Sequence, residues 1–297
     1  MATLAHFDGS YVSLGKAGIV KRSSVNALDL ASFSALANLE HEHSLSRLIE
    51  NEIIPRLMIA HAVDGSGCAA AEFDIGEVVD FADIVLTVEA DALLASVDAI
   101  LARGVAVDTI MVDLLAPAAR LLGEYWVSDR CDFIQVTMGL WRLQEVVREI
   151  AARAPIERQL AAGGRRALFA SVPGDQHYFG AIVMDEIFRR EGWITDRING
   201  AEMSDLLRSV RRDWFDLIGL TVSCDQHVES LGSIIVALRN VSKNPRVCIM
   251  VGGPVISQNP GLAAQVGADG TAADAKLALK VALDLVFMRE REDLVLC

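Results

Sequence analysis

Ala167-Leu168-Phe169-Ala170-Ser171-Val172-Pro173-Gly174-Asp175-Gln176-His177-Tyr178-Phe179-Gly180 is the stretch that decides the fold. A short apolar run leads into a loop carrying Asp-x-His-x-x-Gly, and a helical pattern follows. That order sets an imidazole at the carboxyl edge of a parallel sheet, where open α/β domains bind their ligands. The imidazole of His177 can bind a metal there. Asp175 can accept the other ring N–H, which fixes the tautomer and makes the ligating nitrogen more basic.

Downstream the chain alternates, with strands predicted at 167–172, 193–198, 216–223, 246–252 and, briefly, 268–271. Helices are predicted between them at 178–191, 201–212, 228–240 and 260–266, and last at 273–290. Such alternation predicts a parallel five-stranded sheet covered by helices on both faces. Thr221-Val222-Ser223 closes the third strand and Gly252-Gly253 the fourth, so both fall at the same edge as His177.

Upstream, apolar spacing predicts four helices at 75–89, 90–103, 108–126 and 129–153. Ile110, Leu114, Ala118, Leu121, Leu122 and Tyr125 stripe the third; Phe133, Val136, Leu140, Leu143, Val147 and Ile150 stripe the fourth. Their short connections favour an antiparallel bundle, with Ser128 and Asp129 expected to cap the fourth helix. Residues 1–27 read as a tail, and 28–154 as a helical segment followed by this bundle. Pro155 and Gly163-Gly164 mark a linker, 165–290 form the α/β domain, and 291–297 a second tail. His41, His43 and His61 read as surface or helix-end residues rather than ligands.

The bulk numbers exclude several classes. A chain of 297 residues with 52% hydrophobic side chains can bury more than one core. No apolar run reaches bilayer length and the start lacks a signal-peptide pattern, so a cytoplasmic location is expected, without a membrane. Five scattered cysteines without a CxxC pair argue against disulfides and zinc knuckles. A net charge of -13 opposes direct DNA binding.

The joint motifs Asp175-x-His177-x-x-Gly180, Thr221-Val222-Ser223 and Gly252-Gly253 resemble the cobalamin (vitamin B12) domain of methionine synthase, corrinoid methyl carriers and cobalamin photoreceptors. The resemblance implies a flavodoxin-like, Rossmann-like domain with His177 as lower axial ligand to cobalt. It implies cofactor contacts from Asp175, Gln176, His177, Tyr178, Gly180, Thr221, Val222, Ser223, Gly252 and Gly253. Glycines let the backbone approach the displaced nucleotide tail closely, and the hydroxyl of Thr221, where the family has serine, is expected to continue the His177–Asp175 relay. Ser223 replaces the family's leucine and alters the polarity of the tail slot. The bundle resembles the helical cap of CarH-type photoreceptors, which places Trp126 above the corrin; a bundle-core aromatic is the other reading. Those proteins carry Glu-His ten and eleven residues after this tryptophan, where Val136-Thr137 stand here, so an upper-face histidine is not expected.

Trp126-Val127-Ser128-Asp129 and the run from Val136 to Gln144 look like the AerR/PpaA antirepressors of photosynthesis genes. That resemblance implies a light- or B12-responsive transcription regulator acting on a DNA-binding repressor, with adenosylcobalamin, hydroxocobalamin or methylcobalamin as cofactor and self-association left open. The alternative is a corrinoid methyl carrier of a cobalamin-dependent methyltransferase system.

Overall fold

A computed structural model describes residues 73–153, 164–200 and 202–296. The readings for 1–72, including the three histidines, and for most of the linker after Arg153 lie outside the described residues. The bundle contains α1 (Ile75–Thr87), α2 (Ala90–Ala102), α3 (Ala116–Val127) and α4 (Phe133–Arg153). Asp74 starts α1 in a reciprocal capping box, its carboxylate accepting the Glu77 N–H at 2.8 Å while Glu77 accepts the Asp74 N–H at 3.0 Å. Buried Arg142 of α4 donates to the carbonyls of Val85 and Leu86 at 3.1 and 3.4 Å, satisfying the end of α1.

The expected caps of α4 are corrected. Asp132 and Gln135 form that box, at 2.7 and 2.9 Å. Ser128 and Asp129 instead finish α3: Asp129 takes a left-handed φ of 56°, and the Arg130 N–H reaches the Tyr125 carbonyl at 2.7 Å. The turn closes the last carbonyls of α3, which leaves Asp132 to open α4.

The sheet holds β1 (Arg166–Ser171), β2 (Ile194–Ile198), β3 (Leu217–Thr221) and β4 (Cys248–Gly252), parallel throughout and ordered β2-β1-β3-β4. One face is covered by α6 (Met203–Arg212) and α7 (Val228–Val241), the other by α5 (Phe179–Arg190) and α10 (Ala275–Leu296), with short α8 (Pro254–Gln258) and α9 (Gly261–Gln265) after β4. Gly219 lies inside β3 because a Cβ there would stand 2.6 Å from the Phe169 ring. Phe169 packs edge-on against Phe188 at 4.9 Å between centroids. The fifth strand is reduced to one parallel bridge between Met250 and Gly270. Its ladder stops because the Asp269 carboxylate, held by Arg239 at 2.8 Å, accepts the Ile249 N–H at 2.7 Å through a side chain. The C-terminal helix runs on to Leu296 where a tail from 291 was expected. Arg289-Glu290-Arg291-Glu292 are good helix formers, which favours the extension.

The bundle and the sheet domain share apolar packing. Val183 and Ile187 of α5 and Ala275 of α10 belong to the bundle core, with Phe179 and Ile182 packed against it. A helical turn at Val107–Thr109 enters α3 through a π turn, Ile110–Leu115, where an uninterrupted helix was expected. Asp108 pairs with Arg190 of α5, and Asp113 pairs with Lys276 of α10 at 2.9 Å. Five residues in a regular α-helix lie about 140° apart around the axis. The wider π turn brings both carboxylates to the sheet-domain side.

Candidate functional site: a histidine loop at the sheet edge

β1 connects to β2 on one side and the chain then crosses to β3 on the other, so the carboxyl ends of β1 and β3 form the switch point of the sheet. The loop from Pro173 to Tyr178 lies there. Gly174 has φ 88°, and the Asp175 N–H returns to the Val172 carbonyl at 3.0 Å, which folds the loop back over the strand end. Buried Ser171 donates its hydroxyl to the His177 carbonyl at 3.1 Å.

The Asp175 side chain is 0% exposed and organises the loop. One oxygen accepts the His177 ring Nδ1–H at 2.7 Å and the His177 backbone N–H at 2.9 Å; the other accepts the Ser223 backbone N–H at 2.8 Å. Burial alone would push this carboxyl up, but the hydrogen bonds from His177 and Ser223 prevail and hold it below the usual range. The hydrogen bond to Asp175 raises His177 above the ordinary imidazole value, against the opposing effect of partial burial. With Nδ1 engaged and the side chain 57% exposed, Nε2 is the nitrogen offered outward. A fixed tautomer, a basic ring and an outward Nε2 are what a metal-ligating histidine requires.

Ser223 supplies the relay expected from Thr221. The reason is geometric: β3 ends at Thr221, and the chain turns so that the Ser223 N–H, two residues on, faces Asp175. Thr221 Oγ1 is buried without a hydrogen-bond partner among the described residues. A buried hydroxyl left unpaired is costly, and an incoming polar ligand at the sheet edge would satisfy it. The Thr221 Cγ2 methyl lies 3.7 Å from where a Cβ of Gly180 would be, so the strand end and the start of α5 are in contact.

Gly252 and Gly253 divide the role assigned to the pair. At Gly253, with φ 108°, a Cβ would stand 2.4 Å from the Val222 carbonyl oxygen, so this glycine is required by its neighbouring backbone. At Gly252 a Cβ would meet nothing within 4 Å, which leaves open space at the strand end. The Val222 N–H holds the Gly252 carbonyl at 2.9 Å and keeps the two strand ends together. Exposed Gln176 lines a cavity of about 360 Å³ with Gly174, Asp175, Glu202 and Met203, on the β2 side of the loop. Tyr178 precedes the first turn of α5.

Trp126 is 48% exposed near the end of α3, while its neighbour Tyr125 is the buried aromatic. Arg130 fixes that end, pairing with Asp83 at 3.0 Å and lying 3.9 Å above the Tyr125 ring. His227 belongs to a short turn, Asp225–His227, and its Cε1 is 3.4 Å from a Cβ built on Gly174. Ser171 and His227 carry no sequence motif that would mark them as loop supports.

The fold and site define a cobalamin-binding α/β domain preceded by a helical bundle. The B12 binding domain family matches residues 165–280. A 20.5 kDa protein from the bchF-crtJ intergenic region of Rhodobacter capsulatus is 30% identical over 178 residues, covering 60% of this chain and 92% of the relative. The chain belongs to this family of B12 binding domain proteins. The monomethylamine corrinoid protein of Methanosarcina barkeri shares the fold with a TM-score of 0.57 at 18% identity, over 69% of this chain and 96% of that one.

Proposed function

We propose that this protein is a cobalamin-dependent regulator that acts through a partner repressor, with His177 as lower axial ligand in place of the cofactor's own base. The observation that carries the ligation is the outward Nε2 of His177, whose Nδ1 is fixed by fully buried Asp175. Support for the regulatory role comes from the relative encoded between bchF and crtJ, in a photosynthesis cluster, and from the sequence resemblance to antirepressors. Cobalamin would supply a cobalt centre whose upper ligand is exchangeable and light-sensitive. Within the chain, His177 would hold the cofactor, Asp175 orient the ring, Thr221 Oγ1 donate to the tail and Gly252 leave room for it. Trp126 would stand on the opposite, upper side. Because the bundle core is continuous with α5, which starts two residues after His177, a change at the loop reaches the bundle through Phe179, Ile182 and Val183.

The test is the absorption spectrum of protein loaded with adenosylcobalamin, in the dark and after green light, with hydrogen exchange of the bundle followed in parallel. Conversion to a stable protein-bound product with altered exchange in α3 and α4 is expected. Photolysis indistinguishable from free cofactor, with unchanged exchange, would overturn the light-responsive reading and favour the methyl carrier.

A further inference from the structure

A second cavity, of about 240 Å³, lies where α4 meets α5 and the end of β2. Three observations place it outside the cobalamin site. β2 is an outer strand, with β1 between it and the β3 and β4 ends that carry Thr221 and Gly252. On α4 the lining begins at Gln144 and ends at Ala151, about 10 and 20 Å along the helix from Thr137 at about 1.5 Å per residue. No residue of the loop from Pro173 to Tyr178 lines it.

The polar groups of this cavity are unevenly satisfied. Arg148 is paired with Glu145 at 2.9 Å, and both Glu186 oxygens accept from Arg189 at 2.7 and 2.8 Å, so these two charges select nothing. Arg197 and Asp185 face each other at 3.8 Å, beyond hydrogen-bond reach, with side chains only 28% and 25% exposed. Neither has another partner among the described residues. Half-buried Gln144 and exposed Asn199 also line the cavity, and neither amide is hydrogen-bonded among the described residues. A largely buried charge without a hydrogen bond is costly, and a ligand that supplies the missing bonds recovers that cost.

The chemistry of the wall defines the occupant. Arg197 and Gln144 offer N–H donors to a carboxylate, while Asp185 offers an acceptor to an ammonium. The closeness of Arg197 to Asp185 requires both ligand charges on neighbouring atoms, as in the head group of an α-amino acid. Val147, Ala151 and Ile182 supply the apolar remainder of the lining. At about 30 Å³ per molecule the cavity has the room of about eight waters, below the roughly 300–1,000 Å³ of sites for drug-sized ligands.

We infer that this cavity binds a small aliphatic α-amino acid, its carboxylate on Arg197, its ammonium on Asp185 and its side chain against Val147, Ala151 and Ile182. The ligand bridges the bundle and the sheet domain, because α4 forms one wall and α5 with β2 the other. The site shares no residue with the His177 loop, so the inference goes beyond the regulatory reading and does not rest on it.

Isothermal titration of the full chain with L-leucine is the test, run beside isocaproate, which lacks the ammonium, and L-leucinamide, which lacks the carboxylate. Leucine is expected to bind, and each analogue to bind about 10–100-fold more weakly, the worth of one charge-assisted hydrogen bond. Arg197→Met and Asp185→Asn should each weaken leucine binding by a similar factor. Ala151→Leu fills the cavity without removing a charge; it should keep the circular dichroism of the natural chain and lose leucine binding. Absence of leucine binding at millimolar concentration would overturn the proposal. Equal binding of leucine and both analogues, or unchanged leucine binding by Ala151→Leu, would do the same. His177→Ala should bind leucine as the natural chain does, which separates failure here from failure of the cobalt ligand. Loss of leucine binding in that variant would move the ligand to the cofactor loop and equally overturn the proposal.

Discussion

Asp175→Asn is the perturbation that probes the loop most sharply. The carboxylate accepts three N–H groups at 2.7, 2.9 and 2.8 Å in a fully buried position. An asparagine keeps one acceptor oxygen, and its amide NH₂ must then face either His177 or the Ser223 N–H, a donor against a donor. Leaving one buried backbone donor unpaired costs about 1–3 kcal/mol. For a chain of this size that lowers Tm by about 2–4 °C per kcal/mol. The pH dependence has a definite sign. The depressed folded-state pKa of Asp175 contributes stability above the ordinary carboxylate range, and this is lost as pH falls through the depressed value. The raised pKa of His177 contributes below the ordinary imidazole value and is lost as pH rises through the raised one; the exposure of that ring keeps its share small. Thermal melts carried below the ordinary carboxylate range should therefore show the natural chain losing its advantage over Asp175→Asn as pH falls through the depressed value. Cobalamin titration should show about a 10–100-fold weaker affinity, the usual effect of removing the group that orients a ligating histidine. A variant that melts like the natural chain at neutral pH and binds cobalamin equally well would refute the reasoning.

Gly219→Ala places a methyl against the Phe169 ring and should cost about 1–3 kcal/mol in urea unfolding, with Phe169→Leu relieving part of the loss. Gly252→Ala should fold normally and lose cobalamin affinity in a titration, whereas Gly253→Ala should lower the melting temperature before any cofactor is added. Asp113→Lys and Lys276→Asp should each loosen the bundle's contact with α10 by less than about 1 kcal/mol. Hydrogen exchange in the Ile110–Leu115 segment should return toward the natural pattern when both changes are combined.

The alternation of apolar runs made the sheet legible, since parallel strands buried on both faces read as continuous runs rather than as alternating residues. The bundle was legible from the stripes of its third and fourth helices. The π turn at Ile110–Leu115 was not, because its apolar residues suit an ordinary helix equally well and only the ion partners on α5 and α10 reveal the altered phase. The cap of α4 was placed a few residues early because Ser128, Asp129 and Asp132 are all capping residue types, and the choice among them rests on the left-handed turn at Asp129. At the site, Asp175 and His177 were legible as a pair because they lie two residues apart in one loop. The Ser223 contact was not, since it is made by a backbone N–H that any residue there would offer. The two glycines were legible together, but their separate roles depend on the approach of the Val222 carbonyl.

Electron paramagnetic resonance of the protein loaded with cobalamin in its paramagnetic oxidation state tests His177 ligation most directly. The protein is prepared once with ordinary histidine and once with histidine labelled with heavy nitrogen, while the cofactor keeps ordinary nitrogen. With His177 on cobalt, each hyperfine line is split into a triplet in the unlabelled sample and a doublet in the labelled one, and His177→Ala loses the doublet. A triplet that persists in the labelled protein would show that the cofactor's own base still occupies the lower position, contradicting His177 as the cobalt ligand.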